Sequence, residues 1–226
     1  QPTTIWLSES GNFYGFSPGS NDSDGMAFTI AADQADSISW LASHKMILFG
    51  TAGSEGKLAS GDQVLTPTSV KAELETFYGC SGIKPVLVGG SGILFVQLGD
   101  RRVRELAYNW ESDSLISPNM NLLSDHITAG GIKELSFAKE PDPILWCNMV
   151  DGSLTGMTYE RQEQVVGWHK HDTDGLIKRI CCIPFGQRYE VWALVTRDLV
   201  GGKFKSIEYM EYYNPYETEI KDAFFV

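Results

Sequence analysis

Short apolar runs separated by polar turns recur along the chain, and the clearest example begins at Ile144. Its first run ends at Asp151-Gly152, residues 153–159 alternate apolar and polar positions, and residues 164–169 form a third run after a polar turn. An Asp-Gly pair between two such runs is typical of a two-residue type I′ hairpin, which needs positive φ at both central positions. The pattern predicts a three-stranded antiparallel meander.

A single meander of this size cannot bury its own apolar face, so it needs neighbours of the same kind. The first apolar residue of the unit recurs at intervals of 46, 51 and 47 residues, at Ile47, Ile93, Ile144 and Val191. A fainter copy begins at Ile5. Periods of roughly 40 to 50 residues with four strands each are typical of β-propeller blades. The chain is therefore predicted to be all-β, a β-propeller of about four to five antiparallel blades in a single domain over residues 1–226.

Two segments fit this repeat less well. Residues 117–127 begin with Ser-Pro and place Met120, Leu123 and Ile127 at helical spacing, which predicts one short helix inserted between blades. Residues 66–77 fit either a capped helix or a long strand, and the repeat favours the strand.

Aromatic residues occupy similar places in the repeated units, which indicates packing between blades. An alternative is that the tryptophans line a sugar-binding face. Together with a turn glycine and a tryptophan of the third run, these residues make up the predicted structural positions of the blades, namely Phe49, Phe95, Trp146, Trp192, Gly152 and Trp168.

The chain is acidic, with 29 Asp and Glu against 18 Lys and Arg and a net charge of −11. This balance disfavours a surface that binds nucleic acid by neutralising phosphates. The one basic cluster, residues 101–104, favours a solvated hairpin or salt bridges between subunits over a phosphate site.

No apolar run approaches the roughly 18 to 20 residues of a membrane-spanning helix, so we expect a soluble protein without a membrane partner. The chain begins at Gln1 rather than Met, and we expect it to be the C-terminal part of a longer protein.

The residues that could support chemistry are few and poorly grouped. His169 and His171 point the same way on a strand, as in His-x-His metal sites, but the possible third ligands His44 and His126 have no motif context. Residues 22–25 resemble the start of a calcium loop without its later Glu, so a turn is favoured. The four cysteines lack zinc or disulfide spacing. We therefore predict no catalytic residue, cofactor or metal, and no enzyme activity.

Several stretches resemble tail proteins of tailed bacteriophages and prophages, and together they extend over most of the chain. They are SGNFYGFS from Ser10, LFGT from Leu48, RRVRELAY from Arg101, HITAGGI from His126, DGSLTGMTY from Asp151 and QVVGWH from Gln164.

The resemblance implies a β-propeller structural protein of the virion tail, of the nozzle, tail-tube or DNA-stabilisation type. It implies a homo-oligomeric ring below the portal, with other tail or portal proteins as partners, assembled in the host bacterial cytoplasm. Such proteins are usually longer than this chain, which implies that the chain is their C-terminal part or a short variant. They bring no catalytic residues to transfer. The acidic charge would suit a conduit for DNA ejection whose wall does not hold DNA.

Two other functions fit a propeller. A carbohydrate-binding or glycoside-hydrolysing propeller would use carboxylates around a channel, although the sequence singles out no pair of them. A protein-interaction scaffold is the third alternative.

Overall fold

The structure, a computed structural model, describes residues 3–30, 36–43, 46–60, 65–89 and 92–211. These residues form five antiparallel sheets, numbered I to V in chain order, and each sheet is built from strands that are consecutive in sequence. The described part of the chain is therefore all-β, as the apolar pattern predicts.

Sheet I contains β1 (Thr4–Leu7) and β2 (Met26–Thr29), and sheet II contains β3 (Ile38–Ser43), β4 (Ile47–Thr51), β5 (Glu55–Ser60) and β6 (Val70–Thr76). Sheet III contains β7 (Val86–Val88), β8 (Gly92–Val96), β9 (Val103–Asn109) and β10 (Ser114–Ile116). Sheet IV contains β11 (Ile132–Ala138), β12 (Ile144–Met149), β13 (Leu154–Glu160) and β14 (Val165–His171). Sheet V contains β15 (Leu176–Phe185), β16 (Arg188–Leu199) and β17 (Gly202–Tyr209).

The predicted three-stranded meander is confirmed as β12, β13 and β14, and β11 adds a fourth strand at its edge. The ambiguous segment at residues 66–77 contains β6 and is a strand. Sheets II, III and IV thus repeat one four-stranded meander, which explains the spacing of the apolar runs.

Buried apolar side chains form four layers, one between each pair of successive sheets. Neighbouring residues of one strand enter different layers, because side chains alternate across a sheet. Leu94 of β8 packs toward sheet IV, for example, whereas Phe95 packs toward sheet II. Sheets II, III and IV are therefore covered on both faces, and each fully buried large side chain contributes about 1.5–3 kcal/mol.

Hydrogen bonds join the turn between the second and third strands of one sheet to the first strand of the next. Ile132 N donates to Asp100 O (2.6 Å), and Ile177 N donates to Gly152 O (2.9 Å). The first strand β11 contacts β7 on one side and β15 on the other. The turns between second and third strands therefore lie at the same end of the array.

The predicted inserted helix at residues 117–127 is wrong. Among these residues the helical part is one turn of 3-10 helix, Leu122–Ser124. The reason is the side chain of Asn121, which accepts from Val103 N (3.2 Å) and donates to Arg101 O (2.9 Å). These bonds tie the segment to β9, and Leu123 is 95% exposed, so the apolar spacing does not correspond to a buried helix face.

The predicted type I′ turn at Asp151-Gly152 is also wrong in detail. Of these two residues only Gly152 has positive φ (89°). Gly152 N donates to Met149 O (3.1 Å) and Met149 N donates to Ser153 O (3.0 Å), which closes a three-residue loop. The Asp151 carboxylate accepts from Ser153 N (2.9 Å), and this bond favours the observed turn over the two-residue one.

Candidate functional site

The outer face of sheet V is apolar, and no described residue packs over it. Both faces of sheets II to IV, by contrast, pack against a neighbouring sheet. Val191, Ala193 and Val195 of β16 pack toward sheet IV, so the alternate residues Trp192 and Leu194 point away from it. On β17 their partners are Tyr209 and Ile207, and on β15 Ile183 faces the same side, opposite Glu190. The apolar part of the outer face thus comprises Ile183, Trp192, Leu194, Ile207 and Tyr209.

Side chains at the apolar centre of this face contact one another. The rings of Trp192 and Tyr209 lie 5.3 Å apart, and Trp192 Nε1 donates to Glu190 Oε2 (3.1 Å). Ile207, opposite Leu194, is 74% exposed. Ile207 and Leu194 adjoin Trp192 and Tyr209, and a contiguous apolar patch is typical of an interaction surface.

Basic residues flank the apolar centre of the outer face. By strand alternation Lys203 and Lys205 of β17 share the side of Ile207, and Arg179 pairs with Leu194 in register. Arg188 lies 3.3 Å from Glu190 and partly neutralises it. The same side also carries Asp198, opposite Lys203, and Glu211, which accepts from the Tyr209 hydroxyl, so its charges nearly balance although the chain as a whole is acidic.

Sheet I is the first sheet of the array, as sheet V is the last one described, and the loop that joins its two strands is acidic. Trp6 of β1 is 49% exposed on the side away from sheet II, and the loop of residues 8–25 exposes Phe13 and Tyr14. The same loop contains three acidic residues and no Lys or Arg. We call sheet I and residues 8–25 the N-terminal unit, and its acidic loop contrasts with Lys203 and Lys205 at the β17 edge of the outer face of sheet V.

The resemblance of residues 22–25 to a calcium loop has a local explanation. The Asp24 carboxylate accepts from Asn21 N (2.9 Å) and from Asn21 Nδ2 (3.0 Å), so it stabilises a turn. The described residues include no group of three or more His, Cys, Asp or Glu side chains arranged to hold a metal ion.

The turns between second and third strands expose an apolar residue in sheets III, IV and V. These residues are Leu98, Val150 and Val200, and the first two are 60% and 64% exposed. Turn tips are normally polar, because water satisfies their backbone groups. We call these three residues the turn-end row. The hydrogen bonds between successive sheets place Leu98 and Val150 at one end of the array, and Val200 occupies the equivalent turn of sheet V.

The basic cluster at residues 101–104 divides between the surface and the interior. Arg101 forms a surface ion pair with Asp125 (3.0 Å). Arg104 is buried, with its guanidinium carbon 3.4 Å from the centre of the Tyr78 ring, and its Nε donates to Gln97 Oε1 (2.7 Å). Arg101 and Arg102 are therefore exposed, as the predicted solvated hairpin requires, whereas Arg104 is not.

His169 and His171 lie on one face of β14, as their spacing predicts. Nδ1 of His169 and Nε2 of His171 are joined by a hydrogen bond of 2.7 Å, and both rings pack edge-on against Trp146. Burial lowers the pKa of both histidines, that of His171 to about 4. The pair is therefore neutral at pH 7.

The histidine pair lines a cleft of about 390 Å³ between sheets IV and V. Carboxylates outnumber basic groups at its edge, with Glu140, Asp142, Glu190 and Glu211 against Lys170 and Arg188. Of the suggested further ligands, His126 does not line this cleft, and His44 lies outside the described residues. The arrangement is a neutral aromatic floor with a polar, mainly acidic rim.

The six predicted blade positions occupy different environments. Phe49 and Phe95 are fully buried and pack toward the preceding sheet. Trp146 is buried toward sheet V, whereas Trp192 lies half-buried on the outer face of sheet V. Gly152 forms the turn described above, and the half-buried Trp168 donates from Nε1 to Met120 O (3.0 Å).

Sequence reasoning missed the turn-end row and the outer face of sheet V. The turn-end row has a readable signal, because an apolar residue stands before Gly or Asp-Gly in LGD, VDG and LVGG. The outer face has none, because β16 is apolar on both faces like the internal strands, and only the fold shows that no sheet follows it among the described residues.

Neither a scan against models of protein families nor a search of curated proteins finds a match to this chain. In the described part of the chain, no helix has the length and apolar character needed to cross a bilayer.

Proposed function

We propose that this protein is a non-catalytic structural subunit of a phage or prophage tail, built as a propeller-like array of about four to five blades. The observation that carries the proposal is the outer face of sheet V. An array whose internal sheets are covered on both faces, but in which no described residue packs over Trp192 and Ile207 of sheet V, is suited to bind another subunit.

The propeller arrangement is supported by the way in which the sheets meet. First strands contact first strands, β7 with β11 and β11 with β15, and the fourth strands β6 and β10 contact each other. Blades around a common axis meet in this way, with first strands nearest the axis and fourth strands at the rim.

The N-terminal unit of a second copy is the partner that best fits the outer face of sheet V. Its loop is acidic and exposes Phe13 and Tyr14, whereas the outer face combines Lys203 and Lys205 with apolar side chains. A contact between two different surfaces of the same chain is heterologous, and repeated heterologous contacts close into a ring when the rotation permits.

The turn-end row suits a different contact. Leu98, Val150 and Val200 lie at one end of the array, so in a ring of copies they would form an apolar band on one end face. Such a band fits stacking on a neighbouring tail or portal protein along the axis. The assignment to a tail, and with it a role as nozzle or tail-tube adaptor for DNA ejection, rests on the sequence resemblance.

The proposal is tested by measuring the mass of the purified protein in solution by light scattering over a range of concentrations. We expect oligomers that dissociate when Ile207→Asp places a charge at the centre of the outer face. Val165→Asp is the matched control, because Val165 is also an exposed apolar strand residue, 46% exposed, and lies outside both surfaces. This variant should assemble as the wild type does. Wild-type protein that stays monomeric at every concentration would contradict self-assembly.

A carbohydrate-binding propeller is the second candidate, and the cleft beside His169 and His171 favours it. Carboxylates at the edge of a cleft can accept hydrogen bonds from sugar hydroxyls, and the volume lies within the range of small-ligand sites. Binding on a glycan array that is abolished by Glu140→Gln with Asp142→Asn would support this function. A glycan array on which no sugar binds would contradict this second function and leave self-assembly as the proposed function.

A further inference from the structure

A second groove, of about 440 Å³, lies where the first strands of three sheets converge. It is lined by the end of β3, by β7 with the two residues before it, and by β11 with Lys139 just after it. Because three separate sheets contribute, the groove depends on the packing of the array and not on one loop.

Two ammonium groups define the chemistry of this first-strand groove. Lys84 enters it from sheet III and Lys139 from sheet IV, and among the described residues neither lysine forms an ion pair. The described residues that line the groove include no carboxylate, although the chain as a whole carries 29 acidic and 18 basic residues. Positive charge is therefore concentrated here against the overall balance of the protein.

The nearest acidic residues in the sequence do not neutralise the groove. Glu134 accepts from Ile180 N (3.0 Å), which directs its carboxylate to sheet V. Glu140, next to Lys139, lines the cleft beside the histidine pair instead. The two lysines therefore face an apolar surface without a counter-ion from the described chain.

The rest of the lining is suited to an amphipathic ligand. Leu41, Leu87 and Phe137 supply apolar surface, and Ser43 adds a hydroxyl group at the end of β3. Ser136 also lines the groove, but its Oγ accepts from Cys182 N (2.8 Å) and is therefore directed to sheet V.

We propose that the first-strand groove binds a small organic anion, a molecule with a carboxylate, sulfonate or phosphate group on an apolar body. The anionic group lies between Lys84 and Lys139, and the apolar body lies against the leucine and phenylalanine side chains. This site is separate from the outer face of sheet V and from the turn-end row, so it does not depend on assembly.

The test uses 8-anilinonaphthalene-1-sulfonate as the anionic probe and its uncharged parent, N-phenyl-1-naphthylamine, as the comparison. Fluorescence titration should give one saturable sulfonate site per chain and at least tenfold weaker binding of the parent. Lys84→Gln and Lys139→Gln should each weaken the sulfonate probe about tenfold or more, because a hydrogen bond to a charged group is lost. Lys170→Gln, at the other cleft, is the matched control and should bind as the wild type does.

Three results would overturn the proposal. Equal affinity for the charged and uncharged probes would mean that the two lysines do not contribute to binding. Unchanged binding by both lysine variants would place the anion elsewhere. Displacement of the probe by a short DNA duplex at matched phosphate concentration would indicate a nucleic-acid surface, whereas failure of the duplex to compete supports a site for small anions.

Discussion

Gly156 makes room for the histidine pair, and replacing it with alanine tests the packing of sheet IV. Gly156 of β13 pairs with His169 of β14, and the imidazole ring lies directly over the glycine. A Cβ added at position 156 would overlap Cε1 of His169 and lie 2.7 Å from Nε2. The ring must therefore move, which breaks its hydrogen bond to His171.

The expected cost of Gly156→Ala follows from these contacts. Overpacking a well-packed site costs about 1–3 kcal/mol, and the lost hydrogen bond costs about 1 kcal/mol. His169 is only half-buried, so its ring can turn toward solvent and relieve part of the overlap. We expect a loss of about 2 kcal/mol in the free energy of unfolding, or a fall in Tm of roughly 4–8 °C for a chain of this size.

Gly167→Ala is the matched control, because Gly167 lies in the neighbouring strand and an added Cβ there meets no atom within 4 Å. Alanine in place of glycine reduces the entropy of the unfolded chain, so this variant should be neutral or up to about 1 kcal/mol more stable. Urea unfolding of the two variants beside the wild type measures the difference. Equal midpoints for the two variants would refute the packing argument.

The pH dependence of the same unfolding curves gives a second check. Burial lowers the pKa of His169 and His171 in the folded state, whereas the unfolded chain keeps values near 6.5. The unfolded state therefore binds more protons between about pH 6.5 and pH 4, and stability falls as pH falls through this range. Because the pair is partly exposed, solvent screening limits the loss to the order of 1 kcal/mol between pH 7 and pH 5. Gly156→Ala should show a smaller pH effect, and an unchanged one would mean that His169 has not moved.

Two further substitutions test the core and the buried ion pair. Phe95→Ala should lower the free energy of unfolding, measured in urea, by about 3–5 kcal/mol, because Phe95 is fully buried between sheets II and III. Leu98→Ala, at an exposed turn, is the control and should change it by less than about 0.5 kcal/mol. Glu208→Gln should cost about 2 kcal/mol at pH 7, because both Glu208 oxygens accept from Arg197, at 2.8 and 2.6 Å. Arg197 lowers the pKa of Glu208, so this stabilisation is complete above about pH 4.3 and is lost as pH falls through the lower folded value. The difference between wild type and Glu208→Gln should therefore narrow in acid, and a constant difference would contradict the role of the ion pair.

Strand order was predictable from the sequence because each sheet is local. The apolar run at Ile144 and the Asp-Gly pair after it lie within one meander, so no long-range contact is needed to find β12 and β13. The same logic fails at residues 117–127, where the apolar spacing imitates a helix. There the long-range bonds of Asn121 to Arg101 and Val103 determine the backbone, and a local pattern does not contain them.

The candidate surfaces were less predictable than the strands. The tryptophans were expected to occupy equivalent positions, yet Trp146 is covered by sheet V whereas Trp192 has no following sheet in the described chain. Whether an apolar residue is core or interface depends on what lies beyond its own sheet. The first-strand groove likewise brings together Lys84 and Lys139, which are far apart in sequence.

The most direct test of the account is a mixing experiment with two variants, each altered on one side of the proposed contact. Ile207→Asp disables the outer face of sheet V, and Trp6→Asp disables the N-terminal unit. If copies join head to tail, each variant alone is monomeric, because it lacks one of the two contact surfaces. In the mixture the intact N-terminal unit of Ile207→Asp binds the intact outer face of Trp6→Asp. The mixture therefore forms heterodimers and nothing larger. A mixture that stays monomeric while the wild type assembles, or a single variant that still forms wild-type oligomers, would contradict the account.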